Sequence, residues 1–553
     1  MANPDESDGD AGGFVETATE APKAGFLGNA PWWLLSAGLH AVILLATALV
    51  FVERLMAVEE HEIILVSKPP REFIKEPESG PDLVPPGIPM DDEKIPSSSQ
   101  PVLFFPDAVL GKLIETDNGE PFEKAKGDSE KYLSSFKGDA GGPRGRQAGN
   151  APGVYDSLGV SAGGGGGGRY GGRLGGNKNT RVGGTGRQTH ATENAVLAAL
   201  KWLARHQNPD GSWGAEGFTT RCSGVRCSGP GERDFDTGET ALSILAFLGA
   251  GYSHLSRDEV PDPLDPKVML RFGETVKKGV QWLIARQDPE GCVGERGQKY
   301  MYNHAIAALA LSEAYGMSSS LPIRAPAQKA VEFLLAAQNP GRGWRYSSKS
   351  GDTDSSVTGW AVMALKSAEL SELQLPKGIY DGALAWFGEV MERNGYYRVG
   401  YTQAGQGKVI VPGRNESWDD HPSMSAVAVM SRIFMQKDRH EPALGAVSLI
   451  VSDLPEWKAN RVDFYYWYYA SLAIFQYDGP DGPLWRKWNE PMKSALVPNQ
   501  RGGRDGCRNG SWDPEADRWG FEGGRVYATA INALTLEVYY RYASVFGGGL
   551  NKK

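Results

Sequence analysis

From about residue 190 onward, apolar positions recur at three- and four-residue steps, and polar turns interrupt them at intervals near 50 residues. That periodicity predicts amphipathic helices. In the first helix Ala195, Leu197, Leu200 and Leu203 make the apolar stripe. The pattern predicts six helix pairs. Their first members fall near residues 191–206, 267–286, 325–338, 377–392, 441–454 and 482–497. Their second members fall near 236–250, 301–315, 355–369, 422–436, 463–477 and 525–542. The second members are apolar nearly all round, as in Thr240-Ala-Leu-Ser-Ile-Leu-Ala-Phe-Leu and Trp360-Ala-Val-Met-Ala-Leu. Helices of that kind are buried. We therefore expect an all-α domain over residues 190–546: a single (α/α)6 toroid with the apolar helices inside and the amphipathic ones outside.

The turns repeat too. Gln207-Asn-Pro-Asp-Gly211-Ser-Trp213 is the complete form. Partial copies follow at Gln287 to Gly291, Gln338 to Trp344, Met391 to Tyr397, and Gly510-Ser-Trp512. The fifth pair, near Leu454-Pro-Glu-Trp457, shows almost nothing of it. This Gln-x-x-x-Gly-x-Trp turn resembles that of the prenyltransferase and squalene-cyclase α/α-toroid family. The resemblance implies a toroid in which the Gln and the aromatic brace helix ends.

A closed ring of alternating helices starts every inner helix at the same rim. Asp236, His304, Asp352, Asp354, Asp420 and His421 stand at those starts and should meet at one mouth. Asp and Ser also serve there as ordinary N-caps, favoured by the helix dipole. Asp352-Thr-Asp354-Ser355 resembles the Asp-x-Asp-Asp of class II terpene cyclases, which makes Asp354 the expected proton donor and Asp352 its companion. Ser355 replaces the last acid of that motif. Tyr302, Trp360, Tyr465 and Tyr527 are expected to line the interior, where ring faces either pack or stabilise a cation. Prenyltransferase β subunits hold zinc at this rim with an Asp-x-Cys pair. That pair is missing here, so no metal and no cofactor is expected. Gly291-Cys292-Val293-Gly294-Glu295 is similar to a complement-type thioester motif but carries an extra Val; Gly291 reads as a turn glycine.

The remainder of the chain changes the picture in three ways. Residues 1–31 form an acidic tail, and residues 32–52 are apolar for long enough to cross a bilayer once. Residues 53–189 are Pro-rich and then Gly-rich, with six consecutive glycines at 163–168, which suits a flexible linker. Ser36-Ala-Gly-Leu-His40 within the span resembles the anchor of TonB-type energy transducers. It implies an inner-membrane partner at Ser36 and His40 and an extracytoplasmic toroid. The count of basic residues, Lys23 before the span against Arg54, Lys68 and Arg71 after it, points the other way. Net charge is −9 with no basic stripe, which excludes a nucleic-acid partner. Of the four cysteines, Cys222 and Cys227 are close enough to form a disulfide in an oxidising compartment. Two functions are compatible with the sequence. One is a membrane-anchored cyclase-like protein that cyclises or binds an isoprenoid, with Asp354 as acid. The other is a non-catalytic toroid that binds a lipid, peptide or envelope protein.

Overall fold

The structure is a computed structural model. It describes His40, residues 64–65, and residues 187–541 apart from 225, 437–440 and 481. The expected membrane span at 32–52 lies outside the described residues except for His40, which is helical and exposed. Ser36 and most of the linker lie outside them as well. Among the described residues, no helix is long and apolar enough to cross a membrane. Residues 1–62 and 63–553 form separate units, and the six helix pairs belong to the second.

The twelve paired helices alternate between two kinds along the chain. The outer members are α1 (Arg187–His206), α3 (Phe272–Ala285), α5 (Leu321–Ala336), α7 (Asp381–Glu389), α9 (Glu441–Val451) and α11 (Pro483–Leu496). The inner members are α2 (Asp236–Gly249), α4 (Tyr300–Ser318), α6 (Ser355–Leu370), α8 (Ser423–Gln436), α10 (Phe464–Asp478) and α12 (Gly520–Arg541). Inner helices touch in the order α2, α4, α6, α8, α10, α12, and α12 returns to α2, so the wheel is closed. Outer α1 packs on α12 across the seam. The alternation of helix types in the sequence thus becomes two concentric layers. From Thr237 to Gly249 every residue of α2 is buried. On α1 the buried stripe runs through Val196, Ala199, Leu200 and Leu203, while Leu197 is only half-buried.

The repeated turn is a working joint. Gln207 Nε2 donates to Gly211 O at 2.9 Å and to Thr275 O of the next outer helix at 2.8 Å. Gln287 does the same with Gly291 O and Pro326 O. Gln500 does it with Gly510 O and, across the seam, with Ala195 O at 2.8 Å. Trp213, Trp344 and Trp512 are buried, and each indole N–H donates to the carbonyl of a leucine in the preceding outer helix: Leu203, Leu334 and Leu496. The joint glycines are needed twice over. Gly211, Gly291 and Gly510 sit at φ +98°, +101° and +98°, a region L-residues avoid. A Cβ on any of them would stand within 2.4 Å of a carbonyl oxygen of the neighbouring outer helix.

Two short antiparallel pairs complete the unit. β1 (Ile64–Leu65) pairs with β4 (Val409–Ile410) beside the mouth of the wheel, and β2 (Glu259–Pro261) pairs with β3 (Met269–Arg271).

Candidate functional site

The inner helices begin at one rim, and a cavity opens there. It offers ≈ 170 Å³ to the centres of water-sized molecules. All six inner helices contribute to its wall at or near their first turns, among them through Glu239, Tyr302, Ser356, Ser423, Tyr465 and Tyr527. The loop between α7 and α8 adds Tyr401 and Val409. Trp360 lies in the wall as well, one turn deeper on α6. All four aromatics singled out in the sequence are therefore wall residues. The other aromatics of α10, Tyr466 to Tyr469, are buried in packing outside the wall. Tyr466, for instance, donates its hydroxyl to Ile450 O and Asp453 O.

The rim acids and histidines divide into two groups. Asp420 and His421 line the cavity. Arg398 lies 3.5 Å from Asp420. His421 Nδ1 meets Asp453 Oδ2 at 2.7 Å and its Nε2 meets Arg461 O at 3.0 Å. Burial disfavours charge on this ring, yet the Asp453 carboxylate prevails and raises its pKa. Asp236, Asp352, Asp354 and His304 stand outside the wall. Asp236 accepts the Ala215 amide at 2.8 Å and so ties a joint to α2. Asp352 is more than half exposed and pairs with Arg345 at 2.7 Å. His304 is fully buried; its Nδ1 accepts from the Val293 amide and its Nε2 donates to Ala330 O. Burial pushes its pKa down to about 4, so it is a neutral brace for the second joint. The expected convergence of all six on one opening is corrected accordingly: a start at the shared rim fixes where a backbone begins, and capping or joint bracing turns some side chains outward.

Asp354 is the N-cap of α6. Its Oδ1 accepts the Val357 amide at 2.8 Å, and the side chain is completely buried. Its Oδ2, beside the Tyr401 hydroxyl, makes no hydrogen bond of good geometry. Burial pushes its pKa up to about 7, against the lowering by the Val357 amide and Arg345. Ser355, standing where the related motif has an acid, donates its hydroxyl to Gly400 O at 2.7 Å. Two short hydroxyl pairs belong to the cavity wall, Tyr346–Tyr401 and Ser356–Tyr465, each at 2.6 Å.

The sequence places Glu239 among the acids at the start of α2 without marking it out as a site residue. It is fully buried in the cavity wall, and its Oε2 has no hydrogen-bond partner among the described residues. Desolvation, and then the charge of Asp236 nearby, raises its pKa well above the ordinary carboxylate value. Behind the wall Asp517 is raised in the same way, by burial and then by the charge of Asp463. Asp463 Oδ2 and the Tyr527 hydroxyl, both on wall residues, also lack partners among the described residues. Basic groups reach the mouth as well: Lys299 pairs with Glu522 at 2.8 Å, and Arg518 donates to Asp419 O at 2.8 Å. Glu239 lies one helical turn after Asp236, and that spacing was the available signal.

The other cysteine readings are decided by position. Cys292 is buried in a joint, where burial pushes its thiol up to about 12. Cys222 and Cys227 are free thiols in the structure; the disulfide expected from their spacing is not formed. Both face His206 instead.

Residues 270–409 match the family model of the squalene-hopene cyclase C-terminal domain. Over this stretch the chain is thus similar to squalene-hopene cyclases, as the repeated turns imply. No curated protein matches the sequence. Among solved structures, the type II terpene cyclase MstE from Scytonema aligns at 15% identity and a TM-score of 0.39, over 64% of this chain and 97% of that chain. A variant of MstE in complex with geranylgeranyl dihydroxybenzoate aligns at 14% identity and a TM-score of 0.41, with the same coverage.

Proposed function

We propose that the wheel binds an isoprenoid chain that carries an oxygen function, held in the aromatic cavity at the rim. One observation carries this reading: the wall is built of Tyr302, Trp360, Tyr465 and Tyr527, yet it presents polar atoms of Glu239, Asp463 and Tyr527 without partners among the described residues. A purely hydrocarbon ligand would leave those atoms buried and unpaired, at about 1–3 kcal/mol each. A ligand hydroxyl donates to the unpaired Glu239 oxygen, and where burial keeps a proton on that carboxyl a carbonyl or epoxide oxygen accepts from it. Ring faces accept the chain by dispersion.

A second reading is acid-initiated cyclisation, supported by Asp354. With its pKa pushed up to about 7 it keeps a proton into the neutral range, and the helix start at Val357 stabilises the anion left after proton loss. Because Asp354 stands behind the wall, Tyr401, whose hydroxyl is beside it and which lines the cavity, would give its own proton to the ligand as it takes the one from Asp354, ending as a neutral phenol beside the Asp354 carboxylate. In both readings the chain is anchored through residues 32–52 with the wheel outside the cytoplasm, so that ligand arrives from the bilayer.

The experiment is to mix the full chain in detergent with squalene, oxidosqualene and polyprenyl diphosphates, following binding by tryptophan fluorescence and products by mass spectrometry. Saturable binding of the oxygenated ligand, weakened about tenfold in Trp360→Ala, supports the binding reading. Absence of binding by any of the three removes it. A new product that disappears in Asp354→Asn establishes the acid reading, and binding without product dismisses it. A reporter enzyme fused after residue 60 fixes the orientation; cytoplasmic activity there excludes an extracytoplasmic wheel.

A further inference from the structure

At the seam of the wheel, away from the cavity, one histidine and three cysteines converge. His206 ends α1, Cys222 and Cys227 stand in the loop beyond it, and Cys507 lies in the turn between α11 and α12, 301 residues further along than the histidine. Their ligand atoms all lie within 4.8 Å of one another. His206 Nε2 is 3.6 Å from Cys222 Sγ, 3.7 Å from Cys227 Sγ and 3.3 Å from Cys507 Sγ. Zinc bonds of about 2.3 Å to sulfur and 2.0–2.1 Å to nitrogen, arranged as a tetrahedron, require nitrogen–sulfur edges of about 3.5 Å. The three edges observed bracket that value.

The surroundings also suit a metal. His206 Nδ1 stands 2.8 Å from Trp202 O. That carbonyl fixes the ring proton on Nδ1, so the Nε2 lone pair faces the sulfurs. The ring stacks on Trp202 at 4.1 Å, which holds its orientation. The Cys227 amide donates to Cys222 Sγ at 3.3 Å, and Arg205 reaches the Cys507 carbonyl at 3.3 Å. Three of the four residues are buried and none lines the cavity. Cys222 and Cys227 have four residues between them, within the spacing of structural zinc sites.

We propose that His206, Cys222, Cys227 and Cys507 hold one zinc ion that clasps the first repeat to the last. Binding replaces the thiol protons with metal–sulfur bonds and releases those protons to solvent. Four protein ligands leave no open position, so the ion is structural. Two alternatives compete with it: a packed group of thiols around a histidine, and, after oxidation, a Cys222–Cys227 disulfide that leaves no three-thiolate set.

The test uses the full chain, purified without chelator and then analysed for metal. One zinc per chain is expected, unaltered in Cys292→Ala and lost in Cys507→Ser and in His206→Ala. Replacing zinc with Co2+ in the wild-type chain should give the visible and near-ultraviolet bands of tetrahedral thiolate coordination, a readout independent of whether the variants fold. Chelation should lower the wild-type Tm by several degrees, and added Zn2+ should restore it. A wild-type chain that carries no metal and gives no cobalt bands overturns the proposal. So does a Cys222–Cys227 disulfide found in the native protein by non-reducing mass analysis.

Discussion

At the scale of single residues, two side chains of the wheel make sharp predictions. Gln207 donates two hydrogen bonds from one amide, one within its own joint and one to the next outer helix. Gln207→Ala removes both and leaves two buried carbonyls short of a donor. A loss of about 1–3 kcal/mol is expected, measured by urea denaturation. Asp354 gives a pH signature. Its folded pKa of about 7 stands above its unfolded value near 3.8. Between those values the folded chain keeps a proton that the unfolded chain has released. Stability therefore falls as pH rises from about 4 to about 7 and levels off above. Asp354→Asn keeps the helix cap, because Asn caps as well as Asp. The variant should lack that decline, which amounts to ~4 kcal/mol at most, in unfolding measured from pH 4 to 8.

At the scale of elements, most of the architecture was legible in the sequence. All six pairs appear, because helix-period patterning and joint glycines are local signals. The inner helices were recognisable by being apolar on every side, and the order in which they close follows from the joints. The site was less legible. Asp354 and Glu239 are both acids in the first turn of an inner helix or just before it. Only the backbone path decides that Glu239 faces the cavity while Asp354 turns back to cap Val357. Cys507 was illegible as a partner of Cys222 for a different reason: its neighbours in space are the far end of the chain, and spacing along the sequence reports only local partners. Joint glycines allow an internally controlled test. Gly510→Ala forces a Cβ to within 2.1 Å of Ala198 O at φ +98°, whereas the same change at Gly297 meets nothing within 4 Å. The first should cost well over about 1 kcal/mol and the second should be near neutral, as read by shifts in Tm.

At the scale of the whole molecule, the end of the wheel opposite the mouth is tied by charge. Arg541 of α12 meets Glu313 of α4 at 3.0 Å, with both side chains fully buried, and Ser367 of α6 adds a hydroxyl. The cluster thus joins three spokes. Glu313→Ala removes the carboxylate that pairs with this buried guanidinium, and a loss of about 3–5 kcal/mol is expected in equilibrium unfolding. The gap left by the smaller side chain adds to it, so Glu313→Gln is the gentler probe and should cost less.

A hub that is finished only when its sixth spoke meets its first has a timetable. While the chain is being made, α2 exposes an apolar flank that no earlier segment can cover, because the helix it belongs against is the last to emerge. Nascent chains halted anywhere before residue 520 should accordingly stay sticky and protease-sensitive, and release of the 22 residues of α12 should convert the whole wheel at once.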